Sequence, residues 1–313
     1  MPPPPGCCQL SGLQRGHRFG RAPALPNPWL YDRGAPFCSR AITQAHLLHR
    51  ISSRLGRISG AVVLVTLILA VVLLTRTPGS TAVLLAVESG RVDGLVTNEF
   101  AFWNPSNQAR VDSPDWNMTS GSLFVRDGSG WTGIPDDLSP NATSSNGTDS
   151  AVFRLNTKRF DFGNVSVVFR LDNQGLVTTT RTPAQAYDGV HVWLRYQSQY
   201  QLYAVTVNRR DGTLAIKKKT PGGPNPSNGG TYYDLVKPVP YTVPYGRWQQ
   251  VQAAVHTNPD GTVTIHLSVD GVLLLSATDN GILGGPPITQ PGAVGIRGDN
   301  CNFLFDTFTV TGL

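Results

Sequence analysis

Residues Tyr187–Lys219, YDGVHVWLRYQSQYQLYAVTVNRRDGTLAIKKK, decide the fold. Over 189–197 the residues alternate, with Val190, Val192, Leu194 and Tyr196 on one side and His191, Trp193 and Arg195 on the other. A period of two belongs to a β-strand with one face buried and the other free for polar or stacking groups. Residues 200–209 repeat the pattern in Tyr and Val. Asp211-Gly212 then supplies a tight turn, because glycine accepts the positive φ that such hairpins need. A third strand follows over 213–219, with Leu214 and Ile216 inward and Lys217 and Lys219 outward. The stretch predicts an antiparallel meander with one core face and one chemically equipped face.

Working outward toward the C-terminus, the same logic continues. Residues 249–256 put Val251, Ala253 and Val255 on one face and Gln250, Gln252 and His256 on the other. Residues 262–269 put Val263, Ile265, Leu267 and Val269 inward, with Thr264, His266 and Ser268 outward. A tight turn at Asp270-Gly271 leads into a strand at 273–275, and residues 292–310 form two closing strands. Toward the N-terminus, helical periodicity is missing as far back as the linker at 75–82, while Asp-Gly and Asn-Gly turns recur. Many short strands separated by such turns predict an all-β, two-sheet antiparallel jelly-roll sandwich over 83–313. The polar segments 134–150 and 220–231 are loops, and the second is long enough to wall one end of a cleft.

The first 57 residues are different in kind. They hold eight Arg, no Lys and a single acid, Asp32. Residues 1–39 are rich in Pro, Gly and Arg without apolar period, a composition that buries too little surface to offset chain entropy. Over 40–57 a helical period emerges, in Ile42, Leu48, Ile51 and Leu55, with Arg50, Arg54 and Arg57 elsewhere around the axis; this predicts either a basic amphipathic helix against an anionic membrane or an extension of the next helix. Ile58–Leu74 is seventeen residues without a charge, roughly 25 Å as a helix. Arginines crowd its N-terminal side, so the positive-inside rule places 1–57 in the cytoplasm and the C-terminal domain outside. The segment is expected to act as an uncleaved signal-anchor, or to be cut near Ser80-Thr81-Ala82 and release a secreted domain.

Charge and cysteine usage exclude several function classes. The net charge of +6 belongs to the N-terminal segment, since residues 58–313 carry 18 basic and 19 acidic residues. No basic stripe remains on the folded part, and nucleic acid is not an expected partner. Of the four cysteines, Cys7, Cys8 and Cys38 precede the apolar segment and only Cys301 follows it, so the folded part has no internal disulfide and no C-x-x-C site.

Taken in order, GVHVWLRY, LYAVTVNRRDG, GRWQQVQAAV, GAVGIRGDN and FDTFTV, with TSGSLF (119–124) and DSAVFRL (149–155) ahead of them, resemble the concanavalin A-like, laminin-G-like jelly rolls. The similarity is nearest to bacterial secreted domains of the 3-keto-disaccharide-hydrolase and LamG-like group. The resemblance implies two curved antiparallel sheets with glycan ligands on the concave face or its rim. It also implies that some members bind a structural calcium, for which Asp306 in FDTFTV would be the first residue to test; no other cofactor is required.

For glycan binding the outward set His191, Trp193 and Arg195 is the leading candidate. Sugar rings stack their C–H faces on flat aromatics, and hydroxyls and carboxylates match planar guanidinium donors. Lys217 and Lys219 would flank the same face and favour an acidic polysaccharide, and Tyr232 and Tyr233 are candidate rim residues. The competing reading of each is structural: Trp193 packed under a loop, Arg195 paired with Asp188 or Asp211. An enzyme on this fold is the alternative. The E-x-D-x-x-E run of retaining laminarinase-type glycosidases is absent, since after Leu74 the only glutamates are Glu88 and Glu99. A polysaccharide lyase could be built from His191, Arg195 and Tyr203. A third possibility is a structural cell-envelope domain. Arg297-Gly298-Asp299 is expected to lie in the closing-strand turn. The sequence thus predicts a membrane-tethered extracellular protein that binds a polysaccharide or cell-envelope glycan.

Overall fold

The alternation seen in the sequence becomes two stacked sheets. The computed structural model describes residues 82–87, 92–135, 152–180, 182–226 and 229–313. The expected N-terminal tail, the amphipathic segment 40–57 and the apolar segment 58–74 lie outside these residues. In chain order the strands are β1 (Val83–Val87), β2 (Gly94–Asn98), β3 (Trp116–Ser120), β4 (Ser122–Arg126), β5 (Ser129–Trp131), β6 (Val152–Thr157), β7 (Val165–Leu176), β8 (Gly189–Ser198) and β9 (Gln201–Arg209). They continue as β10 (Thr213–Pro221), β11 (Gly230–Asp234), β12 (Val239–Pro240), β13 (Trp248–Thr257), β14 (Val263–Val269), β15 (Val272–Asp279), β16 (Ala293–Asp299) and β17 (Cys301–Gly312). One helical turn, α1 (Phe100–Trp103), follows β2.

Among the described residues, one sheet runs β15-β14-β13-β7-β17-β5-β4-β2, with β1 also on β17. The other runs β11-β10-β9-β8-β16-β6-β3, with β12 also on β10. All the strand pairings are antiparallel. The core lies between the sheets. Val190, Val192 and Leu194 of β8, Leu214 and Ile216 of β10 and Ile296 of β16 meet Val251, Ala253 and Val255 of β13, Val263, Ile265 and Leu267 of β14 and Phe169 of β7. Each such side chain contributes about 1.5–3 kcal/mol on burial. The inward sets expected for the β10, β13 and β14 strands are therefore the observed ones. Cys301 is a buried free thiol in the same core.

The β8 strand departs from its sequence pattern halfway along. Val190, Val192 and Leu194 point inward as expected, but Arg195 does too, being 0% exposed. Tyr196 joins Trp193 on the outer face. The cause is a bulge. Trp193 and Tyr196 of β8 stand opposite Gly295 and Ala293 of β16, three steps against two. Arg195 takes φ +46°, a left-handed conformation rare for a long side chain. Gly292 makes the close approach possible, since a Cβ there would lie 2.7 Å from the Arg195 carbonyl carbon. The expectation of an outward Arg195 and an inward Tyr196 is thus corrected, because an extra residue reverses the parity of everything beyond it.

Arg195 binds across the inter-sheet space. It donates from Nη1 to the Ile288 carbonyl (2.7 Å), from Nη2 to Asn164 Oδ1 (3.0 Å) and Thr257 Oγ1 (2.8 Å), and from Nε to the Gly163 carbonyl (3.3 Å). Lys218 has a comparable role. Its Nζ donates to the carbonyls of Leu283 (3.1 Å), Gly285 (2.6 Å) and Pro286 (2.8 Å) and lies 2.9 Å from Asp279 Oδ2. Tyr203 donates its hydroxyl proton to the same Asp279 oxygen at 2.6 Å and accepts from the Ile288 amide. Buried cations satisfied in this way hold the 279–288 connection in one arrangement, as unpartnered ones could not.

Candidate functional site

The outer face of the β8-containing sheet, turned away from the core, carries a cleft of about 330 Å³. Its floor follows from cross-strand register. Trp193 stands opposite Gly295 of β16 and Ala204 of β9, two small residues that leave a hollow on either side of the indole. One row over, His191 stands opposite Arg297 and Thr206. Asp299, two residues beyond Arg297 on β16, shares its face because of the period of two. Lys217 of β10 and Tyr232 of β11 form one wall, Tyr187 and Arg209 the other, and Asn225 belongs to the 222–229 connection. Of the segment expected as a loop over 220–231, Thr220-Pro221 and Gly230-Thr231 extend β10 and β11 instead, and Asn225 lines the cleft.

Asp299 organises the charges. It accepts a bidentate pair from Arg297, Nε at 2.7 Å and Nη2 at 2.8 Å, and its Oδ2 lies 3.4 Å from His191 Nε2. Burial works against its ionisation, but Arg297 and then His191 outweigh it and hold the carboxyl well below the usual range. For Arg297 burial likewise opposes the charge, and Asp299 more than restores it. Burial lowers the His191 pKa despite Asp299, which leaves the imidazole neutral near pH 7. Arg297 Nη1 also reaches Tyr232 Oη at 3.4 Å.

Two further cations stand behind this set. Lys219, 2% exposed, places its Nζ 4.8 Å from the centre of the Tyr232 ring. Arg154 of β6 is the register partner of Arg297, and its Nε is buried without a hydrogen bond. Lys217 pairs with Asp234 (2.7 Å) and Arg209 with Asp211, whose pKa falls to about 2 chiefly through that hydrogen bond. Lys219 and Arg154 have no carboxylate within ion-pair distance among the described residues. Five cations therefore meet three carboxylates here. Burial, followed by Arg297 and Arg154, lowers the Lys219 pKa to about 8.

The structure brings His191, Trp193, Lys217 and Tyr232 to the cleft and Lys219 to its back. Tyr233 faces the other way and packs over Gly284, where a Cβ would come within 2.7 Å of the ring. Arg195 and Tyr203 sit on the inner side, so the lyase set of His191, Arg195 and Tyr203 does not assemble. Trp193 differs from its expected role as a stacking platform. Tyr196 stacks on it at 5.0 Å and 16°, and the Arg297 guanidinium lies 5.8 Å from its ring centre. Its Nε1–H is buried without a hydrogen-bond partner.

Arg297, Asp299, Arg209 and Tyr187 were not singled out from the sequence for this face. The i, i+2 spacing of Arg297 and Asp299 was the available signal, but they lie within β16 and not in a turn. Asp306 accepts from Arg170 at 3.3 Å and from Thr307 Oγ1 at 3.0 Å. Among the described residues no group of three or more His, Cys, Asp or Glu could hold a metal ion.

No family model matches the chain, and no curated protein does. Solved structures are similar in fold. A Bacillus subtilis protein with a galectin-like fold is 11% identical with a TM-score of 0.43, covering 63% of this chain and 88% of that one. The carbohydrate recognition domain of Emp46p is 8% identical with a TM-score of 0.42, covering 63% and 88%. The alginate lyase Aly36B is 10% identical with a TM-score of 0.42, covering 73% and 98%.

Proposed function

We propose that this chain is a glycan-binding protein of the cell exterior, tethered through residues 58–74, whose β-sandwich takes an acidic polysaccharide in the cleft of the β8-containing sheet. The observation that carries the reading is the mismatch of groups around that cleft. Five cations meet three carboxylates, and an indole N–H is left without an acceptor. A carboxylate or sulfate on a sugar would accept from the Trp193 edge and relieve the repulsion among Arg154, Arg297 and Lys219. Tyr187, about half exposed at the rim, supplies the flat apolar surface that a pyranose face stacks against.

The test is binding of the full-length chain, kept in mild detergent, to arrays of acidic and neutral polysaccharides. Uronate- or sulfate-bearing polymers should be retained and their neutral counterparts should not. Tyr187→Ala and Lys217→Ala, both outside the core, should each weaken retention about tenfold without changing the melting temperature. Retention of neutral glycans alone, or none that responds to either variant, would refute the proposal.

A second reading is favoured by the His191–Asp299 pair. A neutral imidazole oriented by a buried carboxylate beside a guanidinium is an arrangement suited to removing a proton next to a uronate carboxylate. Arg297 would then fill the role expected of Arg195. Release of unsaturated uronate from a bound polymer, abolished by His191→Gln, would support the enzyme; stoichiometric binding with no product supports the binding protein.

A further inference from the structure

The cleft is not the whole of the site. A second pocket of about 200 Å³ abuts it, and Tyr187 and Asp299 line both. The two hollows have opposite hydrogen-bonding character. On the cleft side the buried groups without hydrogen-bond partners are donors, Trp193 Nε1–H and, behind it, Arg154 Nε–H. In the second pocket the group without a partner is an acceptor, Asn300 Oδ1, which is buried and makes no hydrogen bond. Its orientation is fixed by its neighbours. Asn300 Nδ2 donates to the Thr182 carbonyl at 3.0 Å and to Asp188 Oδ2 at 3.1 Å, two acceptors that only the NH₂ end can satisfy. Asp188, also on the pocket wall, adds a carboxylate that already accepts from the Gln185 amide and Arg210. This pocket therefore calls for a neutral group that donates, such as a hydroxyl or an amide N–H, and disfavours a second anion.

Resting on the glycan reading above, we infer that the site has two adjoining subsites and is built for a linear saccharide in which an acidic unit alternates with a neutral one. The acidic unit lies over Trp193 and Arg297. The neutral, hydroxyl- or acetamido-bearing unit enters the pocket beside Asn300, and Tyr187 stands at the linkage between them.

The experiment is titration calorimetry of the full-length chain in mild detergent with two tetrasaccharides of equal length. One is a hyaluronan oligosaccharide, which alternates glucuronate with N-acetylglucosamine; the other is tetragalacturonate, acidic at every unit. The alternating ligand is expected to bind about tenfold more tightly. Gln185→Trp, at the exposed rim of the second pocket, should abolish that preference by lowering affinity for the alternating ligand about tenfold, with the melting temperature unchanged. Equal affinities for the two ligands in the wild-type chain, or a preference that survives Gln185→Trp, would overturn the two-subsite inference and leave the acidic-glycan reading standing. Failure of both ligands to bind would overturn that reading together with the inference.

Discussion

Replacing Arg195 with Met separates the fold from the site. The wild-type guanidinium makes three contacts of 2.7, 2.8 and 3.0 Å and a longer one of 3.3 Å, all to oxygens around the inter-sheet space. Hydrogen bonds to a charged group contribute about 1.5–3 kcal/mol each, so the three short ones amount to roughly 4.5–9 kcal/mol gross. Against this, methionine removes the cost of burying a cation, several kcal/mol, and keeps much of the packing of the aliphatic stem. It also strands the Ile288 and Gly163 carbonyls, at about 1–3 kcal/mol each. The net expectation is a loss of about 3–5 kcal/mol. In a domain of this size that corresponds to a melting temperature lower by roughly 6–20 °C. Urea unfolding followed by tryptophan fluorescence measures the change, as a lower midpoint with an unaltered slope. Affinity for an acidic oligosaccharide, measured well below the new midpoint, should remain within about twofold, because Arg195 lies on the core side of β8. Undiminished stability together with lost binding would refute the reasoning, returning Arg195 to the outer face.

Other consequences follow from the same contacts. Lys218→Met removes an ammonium held by three carbonyls and Asp279, and should cost about 3–5 kcal/mol while raising amide hydrogen exchange across 280–288; unchanged exchange there would count against its role. Anion affinity should fall as pH rises through about 8, where Lys219 loses its proton, by roughly threefold, and Lys219→Arg should flatten the profile. Stability should decline on acidification. The folded His191 pKa is below its unfolded value, so its contribution is complete above about pH 6.5 and lost as pH falls; the depressed Asp299 carboxyl adds a second loss below about pH 4. Thermal melts between pH 3 and 8 check both, with His191→Gln expected to remove the upper part of the decline.

Much of this architecture was legible in the residues themselves. The strand at 213–219, the Asp211-Gly212 hairpin and the inward sets of β13 and β14 follow from local alternation, since a two-residue period constrains each side chain through its immediate neighbours. His191, Trp193 and Lys217 reached the cleft for that reason. Arg297 and Asp299 could not be placed there from sequence alone, because it is the register of β16 against β8 that sets Arg297 opposite His191. Tyr233 was misplaced by a simpler ambiguity, as adjacent tyrosines on a strand must face opposite ways and nothing local says which is which.

By itself the sequence determined an all-β sandwich, its hairpins and which strands have an apolar face, because these depend on chain-local periodicity and turn chemistry. Only the tertiary structure decided which side chains line the cleft. The bulge at Arg195 is imposed by the packing of β16 and Gly292 against β8, and it turns a presumed ligand-binding arginine into a buried tie between sheets. It also sets Tyr196 over Trp193, so that a face of the indole is covered and its N–H is buried without a partner.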